Sequence, residues 1–224
     1  MAAIPTEYPP ATDAEFADFI NFADSTSGWS EAYSAETVHV WDQKSDKSAV
    51  NVVKLHAVFT DIDAGVLYDT LHDPEYRQVW DESMIEGFCI EKINSHNDVG
   101  YYSAKAPPGV SNRDFVNERS WKVTDDREFL IMNHSVIHPK QPEKKGFVRA
   151  NSIRTGYLVR RREVGGCEMT YITQTDPKGW IPTMLTNKVT KTFAPKIIDK
   201  LEKAAKAYPE WKAQHNPTDK PWRV

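Results

Sequence analysis

The segment Pro182-Thr-Met-Leu-Thr-Asn-Lys-Val-Thr-Lys-Thr-Phe-Ala-Pro-Lys-Ile-Ile-Asp-Lys-Leu-Glu-Lys-Ala-Ala-Lys-Ala207 decides the architecture. Met184, Leu185, Val189, Phe193, Ile197, Ile198 and Leu201 fall on one stripe with lysines opposite, the pattern of an amphipathic helix that must cover an apolar partner. At 1.5 Å per residue it is about 39 Å long, enough to cross the open mouth of a curved sheet as a lid. Pro195 predicts a kink in it.

The partner is written upstream. β-branched and aromatic residues dominate 37–41 and 50–59, with a polar turn between them, which predicts a hairpin. Further strands are predicted over 85–93, 99–105, 114–123, 128–135, 148–159 and 167–175. Short helices are predicted at 63–71 and from Pro74 to Asp81, Pro74 suiting a first helical turn. Phe16, Phe19, Ile20 and Phe22 recur at helical spacing after Thr12-Asp13, so a first helix runs to about Asp24 and packs outside the sheet. The fold class is α+β: a long, mostly antiparallel, curved sheet wrapped around the C-terminal helix, leaving an interior that can be a cavity.

A 224-residue chain with 27% charged residues and a net charge of -4 fits one ordinary globular domain and argues against a nucleic-acid surface. No window has the roughly 18 apolar residues of a spanning helix, and neither a signal peptide nor a lipid-anchor motif is present, so a cytoplasmic protein is expected. Cys89 and Cys167 are expected as buried thiols, since neither has metal-site spacing. His134 and His138 have the spacing of a helical metal site but lie on a predicted strand, where they stand about 13 Å apart. No nucleophile elbow, glycine-rich phosphate loop or paired Cys-x-x-Cys occurs, so neither an enzyme nor a cofactor is expected. Arg160-Arg161-Arg162 reads as a solvated hairpin tip.

Arg77 and Asp81, four apart on the helix after Pro74, share a face and can pair; on residues alone an exposed salt bridge is the commoner outcome. The segments His72-Asp-Pro-Glu-Tyr-Arg-Gln-Val-Trp-Asp81, Asp98-Val-Gly-Tyr-Tyr-Ser103, Ser111-Asn-Arg-Asp-Phe-Val116 and Tyr171-Ile-Thr-Gln-Thr-Asp-Pro-Lys-Gly179 change that weighting. In order and spacing they resemble the START family of lipid-transfer domains. Ile131-Met-Asn-His-Ser-Val-Ile-His-Pro-Lys140 and Tyr208-Pro-Glu-Trp-Lys212 are similar to its phosphatidylcholine-transfer branch. The resemblance covers about residues 10–222 and divides the chain into an N-terminal tail, 1–12, a lipid-binding domain, 13–208, and a C-terminal tail, 209–224.

The resemblance implies a helix-grip fold with an internal lipid cavity, and an intracellular monomer that exchanges one phosphatidylcholine or phosphatidylethanolamine between membranes. It places Arg77 and Asp81 in the cavity, with the guanidinium facing the lipid phosphate, whose oxygens suit its planar fork. Tyr102 and Phe115 match aromatic positions that enclose the choline. Ile153 and Leu71 stand where the branch has aromatic residues, a thinner cage that leaves room for ethanolamine. If Ile153 faces inward, strand alternation would turn Asn151 and Arg149 toward the cavity with it; a twist or bulge there would instead put Arg149 in solvent. The loop carrying Pro107, Pro108 and Val110, with Trp180, Ile181, Met184 and Leu185, corresponds to a membrane gate beside which Lys188 and Lys191 would meet anionic headgroups. As residues alone, that stripe needs only a core to cover. Two acyl chains hold roughly 30 methylenes, worth about 0.8 kcal/mol each, which demands enclosure rather than a groove. The alternative is a non-catalytic sensor for a sterol or other hydrophobic ligand.

Overall fold

The computed structural model describes residues 4–46, 48–124, 127–180 and 194–223. Ten strands form one sheet: β1 Ser30–Ser34, β2 Val38–Gln43, β3 Val52–Phe59, β4 Met84–Asn94, β5 Asn97–Ala104, β6 Asn112–Val123, β7 Phe129–Ser135, β8 Phe147–Arg149, β9 Asn151–Arg161 and β10 Cys167–Asp176. Its order is β1-β2-β3-β10-β9-β7-β6-β5-β4, antiparallel along this path, with β8 added parallel to β6. Helices α1 Asp13–Asp24, α2 Ala64–His72, α3 Pro74–Trp80 and α4 Ala194–Gln214 complete the described elements.

The two faces of the sheet bury different partners. On the outer face, Phe16, Phe19 and Ala23 of α1 pack on Val52, Leu130, Leu158 and Ile172. The helix starts in a capping box: the Glu15 amide donates to the Thr12 hydroxyl at 3.3 Å, and the Thr12 amide donates to the Glu15 carboxylate at 2.7 Å. Gly156 permits this approach, because a Cβ there would lie 2.6 Å from the Phe19 ring. The inner face carries the main core, where Leu55, Phe59, Val159 and Met169 meet Leu67 and Tyr68 of α2 and Ile198, Leu201 and Ala205 of α4. A sheet wrapped around a C-terminal helix is therefore the observed architecture.

Several expectations are corrected. β1 is an additional strand, and 148–159 divides at the buried Ala150, whose amide donates to the Asp114 carbonyl at 3.0 Å. Ile198 and Leu201 are buried, but Ile197 is 54% exposed and lies outside the stripe. The kink expected at Pro195 falls in the first described turn of α4, and the expected helix start at 182–193 lies outside the described residues. Cys167 is buried, but Cys89 is exposed, on edge strand β4. Arg160 is half-buried rather than solvated, pairing with Asp24 of α1 and Glu128 at the start of β7.

The stretches expected as tails are packed. α4 continues past Pro209 to Gln214, with Tyr208 and Lys212 buried. Beyond it, Trp222 is buried against α2, while Lys220, Trp222 and Arg223 donate to Asp69, which is fully enclosed. At the other end, Tyr8 stacks on His138 at 5.1 Å and the Ala11 amide donates to Ser120.

Candidate functional site

Between the inner face of the sheet, the α2–α3 corner and the C-terminal strap lies a cavity of about 420 Å³. The register of the strands sets its wall. Tyr102, Gly100 and Asp98 of β5 stand opposite Phe115, Asn117 and Arg119 of β6, and all six line the cavity because alternate residues share one face. Across the sheet, Ile131 of β7, Tyr157 of β9 and Tyr171 of β10 continue one inward row.

Asp73 creates the helical corner. Its amide closes α2 by donating to the Asp69 carbonyl, while its carboxylate caps α3 by accepting from the Glu75 and Tyr76 amides. The cap aims α3 so that Arg77 reaches the cavity. The guanidinium lies 5.4 Å from the Tyr102 ring centre and 5.2 Å from that of Trp80. Its Nε donates to Asp81 at 3.2 Å, and it also bonds Tyr157. A guanidinium has five N–H donors, so further donors remain for a ligand.

Behind Arg77, Asp81 accepts from Tyr102 at 2.9 Å and from the Ser83 hydroxyl at 2.5 Å. Burial pushes the Asp81 carboxyl up, but the Arg77 charge and these hydrogen bonds outweigh it and hold the carboxyl below the usual range. Burial likewise opposes the charge on Arg77, and Tyr157, Tyr102 and Asp81 together more than offset it. Both groups of the pair therefore stay ionised at neutral pH.

The second guanidinium of the cavity is arranged differently. Arg119 donates through Nε and Nη2 to both oxygens of Asp98, at 2.7 and 2.6 Å. This bidentate pair is closed on itself. Beside it, Asn133, Ser152, Thr155 and Thr173 join in hydrogen bonds that run across the inner face. The cavity thus holds two paired guanidiniums, Arg77 held by one oxygen of Asp81 and Arg119 by both oxygens of Asp98, with Lys92 also in its lining and a polar band beside Arg119.

The expected residues divide. Arg77, Tyr102, Phe115 and Leu71 line the cavity, and Asp81 supports Arg77 from behind. Asn151 and Ile153 do not line it; Ser152 does. The register shifts so that Gln174 and Thr175 pair with Arg154 and Ser152, leaving Ile153 as the extra residue of a bulge that reverses the alternation. Ile153 is exposed. Arg149 turns neither to solvent nor to the cavity but clasps buried Asp114 with two bonds, at 3.0 and 2.9 Å. His134 pairs with Glu118 and His138 with Glu91, so they share no ion.

Pro107 and Pro108 are exposed, Val110 is half-buried, and Trp180 is 72% exposed. Ile181, Met184, Leu185, Lys188 and Lys191 lie outside the described residues. Sequence reading missed the clasp that joins this region: buried Arg113 donates to the carbonyls of Ser111, Pro177 and Lys178, tying the 105–111 loop to the approach to Trp180. It also missed Tyr157 and Tyr171, stacked at 4.6 Å, which restore aromatic surface to the wall. Their signal was register: two tyrosines directly opposite on neighbouring strands.

A family model described as the START domain matches residues 13–211. START domain-containing protein 10 of Mus musculus is 42% identical over 211 residues, covering 94% of this chain and 72% of that protein. Phosphatidylcholine transfer protein of Mus musculus is 26% identical over 183 residues, covering 80% of this chain and 85% of that protein. The crystal structure of human STARD10 superposes with a TM-score of 0.89 at 41% identity, covering 96% of this chain and 87% of that one.

Proposed function

Because the chain belongs to the START family, we propose that it is a lipid-transfer protein that holds one glycerophospholipid, phosphatidylcholine or phosphatidylethanolamine, and exchanges it between membranes, the cavity of about 420 Å³ widening on loading to take both acyl chains. The observation that carries the reading is the asymmetry of the two guanidiniums. Asp98 takes one edge of Arg119 with both its oxygens, whereas Arg77 meets Asp81 through Nε alone and lies over the ring of Tyr102 in the cavity wall. A phosphodiester can accept from the donors that Asp81 leaves free, and because Asp81 already balances the Arg77 charge, the phosphate is balanced by the ligand's own headgroup ammonium. Tyr102, Phe115, Tyr157 and Tyr171 offer ring faces to the headgroup ammonium. Two of the relatives, START domain-containing protein 10 and a phosphatidylcholine transfer protein, support the same class.

In this reading the protein is non-catalytic and works as a cytoplasmic monomer, without a cofactor or a nucleic-acid partner. Pro107, Pro108, Val110 and Trp180, joined by Met184 and Leu185, make the transient membrane contact through which lipid passes. No helix among the described residues is long and apolar enough to cross a membrane. Release against a bilayer moves the acyl chains from one apolar medium to another, which avoids their exposure to water.

The test is native mass spectrometry of the purified protein with extraction of the bound lipid, on wild type and on Arg77→Met/Asp81→Asn, which removes both charges together. One phosphatidylcholine or phosphatidylethanolamine in the wild type, lost in the variant, is the expected result. A sterol in the wild type, or phospholipid retained unchanged in the variant, would overturn it.

A further inference from the structure

In the cavity wall near Arg119, His72 and Trp121 meet edge to face with ring centres 4.6 Å apart, both lining the cavity and both buried. Trp222 of the strap stacks on the other side of the imidazole at 5.2 Å and 11°. Among the described residues no other residue bonds either nitrogen of His72 or the indole Nε1 of Trp121; the imidazole meets only its own main chain, too poorly aligned for a full hydrogen bond. Three polar atoms without partners in one buried corner are unusual, since such groups cost free energy unless satisfied. Burial, with the Arg119 charge adding to it, pushes His72 down to about 3, so the ring is neutral at physiological pH.

That leaves a defined set of valences. A neutral imidazole offers one donor and one acceptor, and the indole offers one donor. A carbonyl oxygen accepts from both N–H groups; a hydroxyl accepts from the indole and donates to the bare imidazole nitrogen. A charged group does not suit the corner. The neighbouring Arg119 is already closed on Asp98, so an anion would face the Asp98 carboxylate and a cation would face Arg119.

We propose that His72 and Trp121 form a second polar subsite, which binds one uncharged oxygen of the cavity's ligand, an ester carbonyl or a hydroxyl, apart from the Arg77 end. The proposal rests on the lipid-binding reading and extends it: Arg77 takes the charged headgroup, and this corner fixes the depth at which the glycerol esters sit. Leu71, His72, Pro74 and Arg77 line the cavity in succession along the α2–α3 corner, so one ligand can reach both ends.

The experiment loads lipid-free full chain from vesicles containing equimolar diester and diether phosphatidylcholine of matched chain length. It then quantifies the extracted lipid for wild type, His72→Phe and Trp121→Phe; a parallel set of vesicles adds cholesterol. Phenylalanine at 72 keeps the ring packing and removes both nitrogens. Wild type is expected to favour the diester lipid by about fivefold, the value of roughly one net hydrogen bond, and each variant to carry the two lipids equally. Because the variant at 72 also removes unsatisfied groups, the lipid-free protein is expected to melt no lower than wild type, a result that a purely structural histidine would not give. Preferential cholesterol uptake that both variants lose would support the subsite with a hydroxyl as its group. Equal uptake of diester and diether lipid by wild type, or variants that keep the preference, would overturn the subsite alone. A wild type that takes up neither phospholipid overturns the phospholipid reading, and the ester assignment with it.

Discussion

Arg77 pairs with Asp81 through Nε alone, whereas Arg119 meets Asp98 through two N–H groups, and both line the cavity. Lysine would preserve the charge but not the planar fork. Arg77→Lys is therefore expected to lower phospholipid occupancy about tenfold or more, the loss of one hydrogen bond to a charged group, as read by competition between labelled and unlabelled lipid. Asp81 supplies a pH signature. Its carboxyl is held below the usual range in the folded chain, so the unfolded state binds more protons as acid is added, and stability falls. The contribution is fully present above about pH 4 and is lost as the pH drops through the depressed folded value. Urea unfolding midpoints of wild type should fall faster below pH 4 than those of Asp81→Asn, and the two curves should converge. The i, i+4 pairing of Arg77 with Asp81 was legible because it is local, but on residues alone it read as an exposed salt bridge, and only the family resemblance turned it toward the cavity. Sequence patterns misplaced Asn151 and Ile153 because one inserted residue, fixed only by the pairing of β9 with β10, reverses every later side chain. Tyr157 and Tyr171 went unread for the same reason, since their contact exists only once register is set.

Among the elements, the α2–α3 corner depends on α4. Asp73 caps α3 with one oxygen, and its other oxygen accepts from Tyr208 at 3.1 Å and from Lys212 at 3.0 Å, all three residues buried. Removing one partner strands a buried charge, so Lys212→Ala is expected to cost about 3–5 kcal/mol in denaturant unfolding, far more than an exposed lysine would. The same contacts explain why α4 passes through Pro209. A proline in a helix interior removes a backbone hydrogen bond, and the sequence alone argues for a stop near Ala207. Tyr208, Trp211 and Lys212 pack against Tyr76 and Asp73 and hold the next turn in place, a tertiary gain that local propensity does not register. On the opposite face, Gly156→Ala would drive a methyl to 2.6 Å from Phe19 and 2.8 Å from the Ile131 carbonyl. Lifting α1 off the sheet to relieve this should cost about 1–3 kcal/mol, visible as a lower unfolding midpoint. By contrast α1 was legible, because its phenylalanine spacing and the Thr12-Asp13 cap are both local, although the reciprocal bond from Glu15 was not read.

For the whole molecule, the C-terminal strap closes a wall that the sheet and helices leave open. Pro221 and Trp222 line the cavity, the Trp222 carbonyl accepts from Tyr68 at 3.1 Å, and Lys220, Trp222 and Arg223 converge on Asp69. Nothing in the run Asn216-Pro-Thr-Asp-Lys-Pro-Trp-Arg-Val224 predicts this, because its partner stands about 150 positions earlier and the pairing is made by the fold. A fully buried carboxylate held by four donor atoms of three residues turns the strap from an appendage into part of the core. A chain shortened to end at Thr218 should therefore lose about 3–5 kcal/mol, with Asp69 left as a buried charge without its cations. Adding Asp69→Asn to the shortened chain removes that charge and should recover part of the loss, whereas Asp69→Asn in the intact chain should be destabilising, since it leaves Lys220 and Arg223 without their acceptor. The sign reversal separates a wall held by Asp69 from general loss of packing. If the shortened chain unfolds at the same urea concentration as the full one, the strap is not part of the cooperative unit, and the cavity must be closed at that end by something other than Trp222.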